Sequence, residues 1–255
     1  MTVPNTALRF LATLLAVASA CPMSFVNSAR AEVSPEKRIV SLLEARYRSA
    51  RTMQATFLER YTENNHTVRV EAGIAYFRRP GKMRWEYESP EKNLFLVDGK
   101  TAWFYVPADH TVTRVPAKES GDWRTPFSLL AGNAKLSRVC AGVKLSTTIT
   151  PENTGDAVLY CRPRGEEQQH LNEHRTALDP TGTERGDAIF LEVAPDSGEL
   201  VRVLVRGRGG VEVEFHFTQW RTDPPVPDSM FRFEAPPGVA IVDGELPDGN
   251  RMLKQ

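Results

Sequence analysis

The chain lacks a charge of either sign in excess: 32 lysines and arginines balance 32 aspartates and glutamates. A surface so balanced gives no net pull toward nucleic acid or an anionic membrane as the main partner. Long apolar runs are missing as well. The longest, Phe10 to Ala20, is interrupted by Thr13 and Ser19 and falls well short of the roughly 20 residues that a membrane-spanning helix needs. Cysteine is scarce, at three residues. No internal repeat is evident, and no arrangement of Ser, Cys, His and carboxylates reads as a nucleophile with its base. Gly207-Arg-Gly-Gly210 lacks the strand-then-helix setting of a phosphate loop. Catalysis is therefore unsupported, and no cofactor or metal is expected.

What the chain does contain begins with an export signature. Arg9 precedes the apolar run and Ala29-Arg30-Ala31 fits the small-x-small pattern before a signal-peptidase cut. Residues 1–31 read as a signal peptide, with residues 32–255 as one domain. A rival reading takes Ala18-Ser19-Ala20-Cys21 as an acylation site, although Ala18 stands where leucine is usual and Pro22 follows the cysteine. Loss of Arg9 and Arg30, with no acid, takes the formal charge from zero to −2. Cys140 and Cys161 then remain, and in an exported chain an even count favours one disulfide. It would close a loop of about twenty residues and contribute on the order of 3 kcal/mol.

Pro35 to Arg51 reads as a helix: Ile39, Leu42, Leu43 and Tyr47 share one face, Ser34 stands as N-cap, and Pro35 takes the first helical position. From Met53 the period drops to two, as half-buried antiparallel strands require. Two hairpins follow. In the first, Pro80-Gly81 suits the centre of a type II turn. In the second, a two-residue turn at Asp98-Gly99 would set Phe95 opposite Ala102 and Leu94 opposite Trp103. Pro126 to Gly132 is a short helical piece between strands, placed to act as a lid. Strands resume at Val143 to Thr150, Ala157 to Arg162, Ile189 to Ala194, Leu200 to Arg206 and Val211 to Trp220. Residues 163–187 form a polar insertion with little periodicity. It contains His170-Leu-Asn-Glu173-His174, a match to an inverted zinc-protease pattern, but its flanks offer almost nothing apolar to fix a metal helix, and a solvated loop is the better reading.

Arg79-Pro-Gly-Lys-Met-Arg-Trp85, Pro90, Asp98-Gly-Lys100 and Trp103-Phe-Tyr105, with Phe231-Arg-Phe-Glu-Ala-Pro-Pro-Gly-Val239 and Val242-Asp243 near the C-terminus, resemble the periplasmic outer-membrane lipoprotein carrier (LolA) family over roughly residues 35 to 243. The resemblance implies a mainly β (α+β) fold: an unclosed antiparallel half-barrel of about ten or eleven strands, covered by helices around a hydrophobic cavity. It implies a periplasmic chaperone rather than an enzyme. Such a monomer receives triacylated lipoproteins from an inner-membrane ATP-driven extractor and delivers them to an outer-membrane receptor lipoprotein. Acyl-cavity candidates are Phe57, Trp85, Tyr87, Phe95, Trp103 and Tyr105. Phe95 and Trp103 fall on opposite faces of the sheet, so the six cannot all line one cavity. By the same resemblance Arg84 holds the lid closed. An anchored receptor of the same fold and a lipid-sensing periplasmic regulator remain as alternatives.

Overall fold

The computed structural model describes residues 1, 33–118, 127, 129–132, 135–163, 188–207, 210–244 and 246. The export segment, the Cys21 acylation site, the inserted H-x-x-E-H match and most of the 163–187 insertion lie outside the described residues.

Among the described residues, one helix precedes the sheet. α1 (Pro35–Arg48) has Glu36 in its first turn and Arg46 and Arg48 in its last, the arrangement that the helix dipole favours, and it buries Ile39, Leu43 and Tyr47. It ends three residues before the expected Arg51. Ser34 holds the N-cap position without a side-chain cap bond.

Among the described residues twelve strands follow: β1 (Thr52–Glu63), β2 (His66–Arg78), β3 (Lys82–Ser89), β4 (Leu94–Val97), β5 (Thr101–Val106), β6 (Thr111–Pro116), β7 (Cys140–Leu145), β8 (Ala157–Pro163), β9 (Ala188–Ala194), β10 (Glu199–Arg206), β11 (Val211–Thr222) and β12 (Ala240–Asp243). A second helix, α2 (Leu136–Val139), runs directly into β7. All twelve strands form one unclosed sheet in the order β12-β6-β5-β4-β3-β2-β1-β11-β10-β9-β8-β7. Every pairing is antiparallel except β12 on β6, which is parallel. The long first strand is central because it is hydrogen-bonded on both sides, to its sequence neighbour β2 and to β11, some 150 residues later.

Alternation assigns the two faces. On the inner face stand Phe57, Trp85, Tyr87, Phe95, Phe215 and Phe217, all at most 3% exposed. α1 and the turn around Phe127 to Gly132 pack over them. The turn Ser197-Gly198 seats α1: Gly198 has φ +69°, and a Cβ there would lie 2.6 Å from the Leu42 backbone. Tyr47 anchors the helix, its hydroxyl accepting from the Leu200 amide at 2.9 Å and its ring 5.1 Å from that of Trp220. Burial pushes the Tyr47 phenol well above its ordinary pKa.

Both hairpins differ from expectation in their turns. Arg78 pairs with Lys82, so three residues connect β2 to β3, with a cis Arg79–Pro80 bond and Gly81 at φ +66°. In the second hairpin the Asp98 amide donates to the Thr101 carbonyl, and Val97 faces Ala102. Gly99 and Lys100 are therefore the central pair, because the Asp98 carboxylate accepts from the amides of Lys100 and Thr101 at 2.8 Å and draws itself out of the turn. The C-terminal match is not a continuous strand: Phe231 closes a 3-10 turn, and only Ala240–Asp243 joins the sheet.

Candidate functional site

The inner face converges on Trp85. Its ring centroid lies 4.9 Å from that of Phe57, 5.0 Å from Phe127, 5.4 Å from Phe215 and 5.7 Å from Phe77, mostly in edge or tilted contact, the arrangement aromatic quadrupoles favour. Its indole N–H is buried without a hydrogen-bond acceptor. Four of the six cavity candidates, Phe57, Trp85, Tyr87 and Phe95, share this face. Trp103 and Tyr105 do not. They stand on the outer face, where Phe233 stacks on Trp103 at 5.1 Å and meets Tyr105 at 5.7 Å. Phe77, on β2, and Phe215 and Phe217, on β11, belong to the aromatic face and were missed; for the last two, only strand order shows that β11 lies three strands from β3.

One end of the inner face is polar. Glu59, 1% exposed, accepts from the Tyr87 hydroxyl at 2.7 Å, and Glu71 stands opposite it across the ladder, paired with Arg69 at 2.9 Å. The rest of the face is hydrocarbon and aromatic carbon.

The residues covering that carbon form a plug. Phe127, Leu129, Leu130 and Ala131 are buried, and the turn closes through bonds from the Leu130 and Gly132 amides to the carbonyls of Phe127 and Leu129. Two links tie the plug to the hairpin between β2 and β3. The Gly81 amide donates to Ala131 at 3.2 Å, and the Arg79 side chain passes beneath Gly132. A Cβ on Gly132, at φ +79°, would lie 2.5 Å from Arg79 Nε. Arg79 then reaches α1, donating through both terminal nitrogens to the carbonyls of Tyr47 and Arg48. It satisfies the carbonyls that a helix end leaves open. One guanidinium thus joins sheet, helix and plug.

Arg84 has another position. It lies on the outer face, where Nε donates to Glu86 at 2.6 Å and a terminal nitrogen to the Met230 carbonyl at 2.9 Å. It fastens the C-terminal segment, as does Arg78 through the Val226 carbonyl at 2.9 Å and Asp228 at 2.6 Å. Strand alternation separates Arg84 from Trp85 by a full sheet thickness. The cysteines do meet: Cys140 and Cys161 are disulfide-bonded with Cα atoms 5.4 Å apart, joining β7 to β8.

Among the described residues, Glu152, Glu214 and His216 bring possible metal-ligand atoms within 4.8 Å of one another on the outer face. Guanidiniums already occupy that cluster. Arg202 lies 3.1 Å from Glu214 and 2.7 Å from Glu192, and Arg60 lies 2.5 Å from Glu214. The chemistry there is that of an ion-pair network, and the inner face offers burial of apolar matter.

Residues 48–160 match the family model described as outer membrane lipoprotein carrier protein LolA. The chain is 28% identical over 221 residues to the outer-membrane lipoprotein carrier protein of Methylococcus capsulatus, covering 85% of this chain and 91% of that one. It is 28% identical over 209 residues to the protein of the same name from Chromobacterium violaceum, covering 81% and 88%. Among solved structures it is similar to a LolA superfamily protein from Nitrosomonas europaea, with a TM-score of 0.40 and 9% identity over 79% of this chain and 99% of that one.

Proposed function

Because the chain is a relative of the outer-membrane lipoprotein carriers, we propose that it carries lipoproteins between membranes by exchanging its own plug for their acyl chains. The observation that carries this reading is the plug itself: four small or apolar residues pressed on an aromatic face and fastened at one edge by the Gly81 amide and the Arg79 side chain. Each acyl methylene taken from water contributes about 0.8 kcal/mol, so one chain of a dozen or more carbons can outweigh the plug's own contacts. No catalytic group is needed. Release follows when the plug returns, and Arg79 favours the return by holding a fixed seat under Gly132 through its bonds to the two α1 carbonyls.

The reading extends to export, with cleavage after Ala31 and the mature protein in the periplasm. An inner-membrane ATP-driven extractor would supply the triacylated cargo and an outer-membrane receptor lipoprotein would take it. The lid-holding role expected of Arg84 is assigned to Arg79.

The test uses protein recovered from the periplasm, its intact mass checked for a start at Glu32, loaded with a labelled triacylated lipopeptide and mixed with outer-membrane vesicles. Wild type should bind the lipopeptide and hand it on. Arg79→Leu removes charge-assisted bonds worth about 1.5 to 3 kcal/mol. It should still bind, but release at least tenfold more slowly, while Arg84→Leu transfers normally. Failure of wild type to bind acyl chains overturns the carrier reading; normal release by Arg79→Leu removes the latch from Arg79.

A further inference from the structure

Beside the plug, the last turn of α1, the β2–β3 turn and the start of α2 enclose a pocket of about 270 Å³. Among the described residues, Arg48, Arg79, Lys135 and Arg138 line it, together with the carboxylate of Glu44. That carboxylate is already engaged: it accepts from the Leu136 amide at 3.0 Å and pairs with Arg48 at 3.4 Å. Among the described residues, four cationic side chains share the lining of this one small hollow with a single carboxylate.

We propose that this pocket binds a phosphate-class oxyanion, held between Arg79, Lys135 and Arg138. Arg79 supplies the most specific evidence. Its two terminal nitrogens are committed to α1 carbonyls, whereas its Nε is buried and has no acceptor. A buried donor without an acceptor costs free energy, and an anion drawn against the guanidinium offsets that cost electrostatically while Gly132 stays over Nε. Burial and the adjacent Arg48 charge hold the guanidinium below its ordinary pKa, the condition a bound anion relieves. The negative end of the α1 dipole, which would repel an anion, is covered by the same arginine. Guanidinium forks match the several oxygens of a tetrahedral oxyanion, and 270 Å³ exceeds the roughly 30 Å³ share of a water severalfold. An oxyanion there touches the hairpin turn, the helix end and the plug's outgoing leg at once. Its occupancy therefore stabilises the closed plug.

The oxygens can come from free phosphate or from the headgroup of an anionic phospholipid. Calorimetric titration of the full mature chain with inorganic phosphate at constant ionic strength should give one saturable site. Co-sedimentation with vesicles of phosphatidylglycerol in phosphatidylcholine, against phosphatidylcholine alone, separates the lipid source from the free anion. The variant Lys135→Glu/Arg138→Glu changes exposed side chains, and should weaken phosphate binding at least tenfold. Lys92→Glu, an exposed charge change in the β3–β4 loop, should leave it unchanged. Vesicle binding lost with the double variant assigns the site to a headgroup; phosphate uptake without vesicle binding assigns it to the free anion. No saturable phosphate uptake by wild type, or equal binding by the double variant, overturns the proposal. No lipoprotein enters the assay, so its failure and that of the carrier reading are distinguishable.

Discussion

Trp85 combines the largest buried ring of the inner face with an indole N–H that meets no acceptor. The two properties oppose each other. Truncation to alanine would lose aromatic packing and should cost about 3 to 5 kcal/mol. Replacement by phenylalanine keeps most of the packing, opens a small void worth about 1 kcal/mol, and removes a donor whose unsatisfied burial costs about 1 to 3 kcal/mol. Trp85→Phe should therefore lie within about 1 kcal/mol of wild type in urea unfolding; a loss above about 2 kcal/mol would mean that the N–H is satisfied in solution. Little of this was visible in the sequence. The period of two put Trp85 on a strand and Phe95 and Trp103 on opposite faces, correctly. It gave no means of choosing between Arg79 and Arg84, because which arginine reaches the plug depends on where the turn after Arg78 points.

At the level of elements, the outer face of β9, β10 and β11 holds the loop between β7 and β8 by charge. Glu192 accepts from the amides of Glu152 and Asn153 at 2.8 and 3.2 Å, and Arg202 donates to the Thr150 carbonyl at 3.0 Å. The pKa of Glu214, beneath the loop, is lowered from 4.5 to about 2, first by its hydrogen bond to His216, then by the His216 charge, a hydrogen bond from Arg202 and the Arg60 charge, against its burial. A carboxylate with a folded pKa below its unfolded one adds stability at pH above about 4.5, and that stability disappears as pH falls toward 2. Urea midpoints measured at pH 6, 4 and 3 should fall for wild type. They should fall less steeply for Glu214→Gln, which starts from a lower midpoint at pH 6; parallel curves would show that Glu214 does not carry the acid response. The expected strand over Val143 to Thr150 stops at Leu145 for the same reason: beyond it the chain leaves the sheet edge to satisfy this network, a choice no local periodicity records.

For the molecule as a whole, the sequence revealed the number and kind of layers better than their order. The start of the helix at Pro35, the alternation from Met53 and the late strands near Ile189, Leu200 and Val211 stand as expected, because each is decided by neighbours a few residues away. The centre of the sheet is not. β1 meets β11 through pairing across most of the chain, and that pairing puts Phe215 and Phe217 beside Trp85. The disulfide belongs to this scale too, since it crosslinks the strand that leaves the plug to the one that follows. Serine at both Cys140 and Cys161 should lower stability by about 3 kcal/mol in urea unfolding. It should also speed hydrogen exchange at the Leu130 amide, whose acceptor is Phe127; exchange no faster than in the oxidised protein would separate the bridge from the plug.

That bridge also limits how far the plug would travel in the proposed exchange. Cys140 lies eight positions after Gly132, a length of chain that reaches about 26 to 29 Å when fully drawn out. The plug is thus moored at its departing end: in the proposed exchange it would swing clear of the aromatic face only within a short tether and come back to the same berth.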